Sequence, residues 1–288
     1  MIFDIIQKLR ALVKNFTDRN LIELLRLIDK KKKVLRLILN EDEVIPFKSC
    51  LNEMGLVVKM APYMLKIKRK DKFSNYITTN IKWNNKLKKK FFLVYVSRSK
   101  TKCDFIINKE MSEDSDKNLG IYYGYPRCCV NNYSNVLRDK DWVTNLLKNT
   151  KNNINFYYNN KLAYMFNGAP SLIEDYFPCS LNCSRTLKLA KENYNLLIKY
   201  GFLKMTKDIV QKLKKNIFIY NDSFYQIQES VVKKNFLLLQ NDQVFIKNKN
   251  NNIIKSKSLI QKKFEIFKKN NQNYIFFKNN KCPLYLFK

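Results

Sequence analysis

Leu119-Gly120-Ile-Tyr-Tyr-Gly124-Tyr-Pro126-Arg-Cys128-Cys129-Val130 is the stretch around which the rest of the chain can be placed. The residues before it, Asp104 to Leu119, read as helix and turn acidic near their end at Glu110, Glu113, Asp114 and Asp116. Gly120 and Gly124 interrupt that pattern. Pro126 suits the first turn of a new helix, where its missing N–H costs nothing. Val130, Tyr133 and Leu137 then recur on one side of a helix from Arg127 to Leu137. Cys128 and Cys129 are thereby expected in a helical first turn, at the positive end of the helix dipole.

A second cysteine motif, Phe177-Pro178-Cys179-Ser-Leu-Asn-Cys183, lies about fifty residues on, past an Asn-rich connector at 151–160 and a Gly168-Ala-Pro170 break. Pro178 is expected to open a helix with Cys179 and Cys183 at i and i+4 on one face. That helix runs through Leu187, Leu189, Ala190, Tyr194, Leu197 and Ile198 to Gly201, a C-terminal stop, and a further helix covers 202–214. The chain holds five glycines and six prolines, and Gly120, Gly124, Pro126, Gly168, Pro170 and Pro178 all fall near these four cysteines. Residues with special backbone geometry are concentrated where the thiols are, which is the mark of a shaped site.

Upstream, residues 2–39 read as two helices, with Ile5, Leu9, Leu12, Val13 and Phe16 at helical spacing and Leu21, Leu24, Leu25 and Ile28 after caps at Asp18 and Asn20. Strand patterns follow at 56–60, 63–68, 77–81 and 91–97. Beyond 215 come seven short apolar runs, at 217–220, 224–227, 235–239, 243–246, 263–267, 274–277 and 284–287, separated by Asn, Asp and Lys. They describe a β module that closes on itself or packs on the first part. The expected fold class is α+β: a helical N-terminal arm (1–44), a mixed α/β core bearing the cysteines (45–214) and a C-terminal β module (215–288).

The formal charge of +31 comes from 55 basic residues, 46 of them lysine. Lys, Asn, Ile, Phe and Tyr share A- and T-rich codons, so the bias follows from an AT-rich genome without any polyanionic partner. The field still attracts nucleic acid nonspecifically at low salt. With 45% hydrophobic residues the chain has material for a real core. No apolar run approaches the roughly 20 residues that span a bilayer, and the first residues lack a signal-peptide pattern. A cytoplasmic protein without a membrane partner is expected, and its seven cysteines then read as thiols or metal ligands.

There is no histidine, so thiols are the soft ligands and strong nucleophiles of this chain. Cys128, Cys129, Cys179 and Cys183 together make a set for Zn2+, iron or an iron–sulfur cluster. Against this, neighbouring side chains on a helix diverge by about 100°, so Cys128 and Cys129 share one ion only if the turn is distorted or two metals bind. A thiol redox pair across the motifs is a second reading, with Arg127 and Arg185 near the two helix starts. Simple packing of small apolar side chains is a third, and is the reading for Cys50, Cys103 and Cys282. A zinc deaminase, a Gly-rich phosphate loop, His-containing zinc fingers and Ser-His-Asp catalysis are excluded by the residues present. For catalysis the candidates are Glu174 and Asp175 as hard ligand or base, Tyr176 and Arg127; the acids also suit helix caps. A basic nucleic-acid-binding module using Lys68, Arg69, Lys70, Lys86, Lys88, Lys89 and Lys90 is a further alternative.

On these residues the chain resembles an uncharacterised prokaryotic family known as a domain of unknown function. Its pattern is Leu-Gly-x-x-x-Gly-Tyr-Pro-x-Cys-Cys-Val followed by His-Phe-Pro-Cys-Ser-x-x-Cys, with Tyr176 standing here at the histidine position. The resemblance covers about 45–200 and extends to Met60-Ala-Pro-Tyr and Val94-Tyr-Val-Ser. It implies a site and no reaction. The reading reached is a metal–thiolate protein with a four-cysteine centre, extending to an enzyme acting on a small substrate.

Overall fold

The structure, a computed structural model, describes residues 2–14, 16–69, 76–81, 90–111, 115–139, 146, 149, 150, 172, 173 and 176–214, and the strand segments beyond them. It is α+β and divides into two compact units, Met1–Ser134 with Asn195–Phe202, and Asn135–Tyr194 with Leu203–Lys288.

In the first unit α1 (Ile2–Leu12) and α2 (Asp18–Ile28) form where the apolar spacing predicts. Ile6, Leu9, Val13 and Phe16 are the buried residues, while Leu12 turns outward. The start of α2 is one residue earlier than the expected caps. Thr17 is the N-cap, accepting from the Asn20 amide at 3.3 Å while the Asn20 side chain accepts from the Thr17 amide at 2.9 Å.

Residues 34–40 correct the helical reading of the arm. They form strand β1 (Val34–Asn40), with Val34, Leu35, Leu37 and Leu39 buried. Leucine-rich runs this short fit either periodicity, and pairing with a buried partner strand decides between them. Helix α3 (Glu41–Asn52) follows, its first turn closed by the Asn40 amide donating to Glu43 at 2.9 Å. The two strand patterns at 56–60 and 63–68 merge into one long strand, β2 (Val57–Arg69), with a register shift between Met60 and Met64. With β3 (Tyr76–Ile81) and β4 (Phe91–Ser97) they make an antiparallel sheet in the order β1-β4-β2-β3. The inner strand β4 is buried along nearly its whole length.

The expected helix at 104–119 is two helices, α4 (Lys100–Met111) and α5 (Ser115–Tyr122). Cys103, Ile106 and Ile107 of α4 join Val34, Ala61, Leu65, Leu93, Tyr95 and Tyr123 in one core cluster. Helices α6 (Arg127–Asp139), α7 (Ser184–Lys199) and α8 (Leu203–Leu213) complete the helical set among the described residues. The end of α7 belongs to the first unit, through an Asp29–Lys199 ion pair and Phe3 against Phe202 at 5.1 Å. It stops as predicted at Gly201, φ +85°, with the Phe202 amide donating back to Leu197 at 2.8 Å.

The second unit contains a nine-stranded antiparallel sheet, in the order β10-β9-β6-β5-β13-β12-β11-β8-β7. Its strands are β5 (Ile217–Tyr220), β6 (Ser223–Ile227), β7 (Ser230–Lys233), β8 (Phe236–Leu239), β9 (Val244–Lys247), β10 (Ile253–Ser256), β11 (Lys263–Lys269), β12 (Gln272–Phe277) and β13 (Asn280–Tyr285). Seven match the apolar runs read from sequence; β7 and β10 are additional. The pairings Tyr220↔Ser223, Lys233↔Phe236, Lys269↔Gln272 and Phe277↔Asn280 each leave two residues between the paired strands. Asparagine stands in every one of those two-residue gaps. Among the described residues no helix is long and apolar enough to cross a membrane.

The energetics of the arm rest on α2, whose residues from Asn20 to Leu27 are all buried. Leu24→Ala should therefore lower the unfolding free energy by about 2–5 kcal/mol in chemical denaturation. Ile45→Ala, at a side chain 80% exposed, should change it by less than about 0.5 kcal/mol.

Candidate metal centre

The first cysteine pair is placed by a helix ending and another beginning within six residues. Gly124 has φ +84°, a conformation that L side chains rarely adopt. Around it the Tyr125 amide donates to Gly120 at 2.9 Å and the Gly124 amide to Ile121 at 3.0 Å, the paired bonds of a Schellman stop. Gly120 has a different reason. A Cβ added there would come within 2.8 Å of Val130 Cγ2, so its bare backbone is what lets α6 lie close to α5.

Pro126 sits one residue outside the position expected for it. It is the cap rather than part of the first turn, and its carbonyl accepts from Cys129 at 2.8 Å and Val130 at 3.0 Å. Cys128 and Cys129 are the second and third residues of α6, the former half-buried and the latter buried. Their sulfurs stand 3.9 Å apart. The divergence of neighbouring side chains on a helix therefore does not prevent the two thiols from facing one point.

The second pair departs further from expectation. Pro178 does not open a helix; α7 begins at Ser184, and 179–183 form a turn. The Cys183 amide donates to Ser180 at 3.2 Å, closing the turn, and the Cys183 carbonyl accepts from Leu187 at 2.9 Å as the helix cap. The turn is also anchored at Leu181. Its side chain is fully buried and its amide donates to Thr150 Oγ1 at 3.0 Å, while Thr150 itself donates to the Leu146 carbonyl at 2.6 Å. The preceding Leu172 is held in turn by Asn193 of α7, at 2.7 Å.

The sulfurs of Cys128, Cys129, Cys179 and Cys183 all lie within 4.8 Å of one another. Four thiolates at about 2.3 Å from one tetrahedral Zn2+ would define edges of about 3.8 Å. The 3.9 Å edge already meets that figure. The donor set and its spacing thus fit a metal ion, and the four cysteines can bind one.

Tyr176 is buried three residues before Cys179, and Arg127 and Arg185 are exposed. Glu174 and Asp175 lie outside the described residues. Cys50 and Cys103 are buried away from the four; burial pushes the Cys103 thiol up to about 11, with its sulfur against the Tyr95 carbonyl at 3.8 Å. Cys282 lies on β13. Of the lysines proposed for nucleic acid, Lys90 is the one whose side chain is described, and it pairs with Glu41 at 3.0 Å. Sequence reasoning missed Lys32, Arg36 and Glu110, which surround Tyr123 just before the first motif, and Glu23, the ion-pair partner of Lys32. Nothing in the local pattern marks a lysine 91 residues away from its acceptor.

A family model described as a protein of unknown function, DUF483, matches residues 74–217, half of the chain and both cysteine motifs. The chain belongs to that family. No curated protein and no solved structure matches it.

Two outcomes check the local geometry. Gly124→Ala should cost about 1–2 kcal/mol of stability, since the residue must keep a positive φ. In folded, chelator-treated protein at pH 8, alkylation mapped by mass spectrometry should reach half-buried Cys128 and Cys179 first and Cys103 last, because Cys103 is both buried and held as the neutral thiol.

Proposed function

We propose that this DUF483 member is a metal–thiolate protein that holds one tetrahedral ion, Zn2+ in the first place and a single iron as the other occupant, through Cys128, Cys129, Cys179 and Cys183. One observation carries the reading: all four sulfurs fall within 4.8 Å of each other. An iron–sulfur cluster puts several irons and sulfides between its cysteines and spreads them more widely than the corners of a one-ion tetrahedron. The compact spacing supports the single ion.

Four protein sulfurs also fill the coordination shell. A catalytic zinc keeps a position for water or substrate, whereas a closed set of four belongs to structural sites. The role that follows is a staple: the ion ties the turn leading into α6 to the turn leading into α7. The apo chain then carries four mutually close thiols whose deprotonation and order depend on metal.

Elemental analysis of anaerobically purified protein should find about one equivalent of zinc or iron. Co2+ loading should give intense sulfur-to-cobalt charge-transfer absorption. Cys129→Ser and Cys183→Ser should each remove most of the metal, and Cys103→Ser should leave it in place. Less than about a tenth of an equivalent in the parent protein, with no Co2+ band, ends the proposal. Reversible loss of two thiols to mild oxidant in that metal-free protein would make the site a redox pair instead.

A further inference from the structure

Tyr123 is held at three points. Its carbonyl, the last before Gly124, accepts from Lys32 Nζ at 2.9 Å. Lys32 comes from the segment between α2 and β1, and its side chain is 1% exposed, beside Glu23 at 3.5 Å with 5% exposed. The same ammonium stands 5.2 Å from the ring centre of Tyr125 and 5.9 Å from that of Tyr123. The Tyr123 ring is in turn covered by the Arg36 guanidinium at 5.3 Å. Arg36 is fixed by an ion pair with Glu110, and Glu110 also accepts from the Tyr95 hydroxyl. The Tyr123 hydroxyl, buried as well, faces that carboxylate.

A buried lysine is costly unless its charge and its donors are used. Here they are spent on the carbonyl end of α5, where a cation suits the dipole, and on two aromatic faces. The held residue is followed by Gly124, Tyr125 and Pro126, and Cys128 comes two residues after that proline. No slack remains between clamp and thiols, because Gly124 is locked by the Schellman bonds and Pro126 by its two accepted amides.

We infer that Lys32, acting on the Tyr123 carbonyl and on the Tyr125 ring, is a positioning residue for the Cys128–Cys129 half of the metal centre. The inference rests on the metal reading, and it assigns part of the site's affinity to a segment outside residues 74–217. Groups that orient ligands from behind typically change metal affinity by about 10–100-fold when removed.

The test uses the full chain. Lys32→Met and Glu23→Gln are made together, so that no buried carboxylate is stranded. Chelator competition should show Zn2+ affinity lowered by about tenfold or more, with Co2+ charge-transfer intensity reduced. Lys32→Arg, which keeps charge and donor, should recover affinity to within about threefold, and Tyr125→Leu, which removes one ring, should lose about threefold. Should the double variant fail to fold, those two decide. Hydrogen exchange of the metal-free chain supplies a readout independent of metal: amides 124–130 should exchange about tenfold faster in the variant, while those of β4 hold. Lower stability with unchanged affinity and unchanged exchange at 124–130 overturns the inference and leaves the metal reading intact. Absence of metal from the parent protein overturns the metal reading, and the exchange measurement then judges the clamp alone.

Discussion

Two neighbouring cysteines must turn their sulfurs toward one point, and the site depends on meeting that constraint at the very start of a helix. Deeper in α6, adjacent side chains would be held about 100° apart by the helical repeat. At its second and third positions no earlier turn of α6 lies behind the side chains, and the sulfurs come to 3.9 Å. The start of α6 must therefore be fixed to the residue. Pro126 does this from both sides: it has no N–H to offer α5, and its carbonyl takes the Cys129 and Val130 amides of α6. Gly124 reverses the chain between them.

The second pair meets the same constraint by the opposite route. Had 179–183 been helical, the two Cβ atoms one turn apart would stand about 5–6 Å from each other along a rigid face. The observed turn leaves that spacing free to close, and the four sulfurs share a volume 4.8 Å across. The turn is held from outside by Thr150, which takes the Leu181 amide. A residue some thirty positions earlier thus anchors the turn that presents one pair of thiols.

These dependencies separate what could be read in the chain from what could not. The helix-stop-helix grammar of 119–130 was legible because glycine and proline act on their own backbone. The strands at 57–69, 76–81 and 91–97 were legible because β-branched and aromatic residues cluster there. Val34–Asn40 was not, since its leucines satisfy two periodicities and its identity is settled by lying antiparallel to β4 from Val34↔Ser97 to Asn40↔Phe91. The four cysteines were legible as a set by motif, but the geometry of the second pair, and the lysine behind Tyr123, are set by residues distant in sequence. Local chemistry shows where a site is; remote hydrogen bonds determine its shape.

The same logic bears on where the family's physical unit lies. The matched region begins at residue 74, between β2 and β3, and includes β4. Yet β4 is flanked on one side by β1 and on the other by β2, both of which precede the match, and its side chains are almost all buried by that arrangement. A chain starting at the match would expose Leu93, Val94, Tyr95 and Val96, leave Glu110 without Arg36, and leave the Tyr123 carbonyl without Lys32. The cysteine motifs would be complete in such a fragment, and the surface that holds the first of them in place would be missing. Residues 2–69 are therefore part of the site's architecture, even though all four sulfurs lie beyond them.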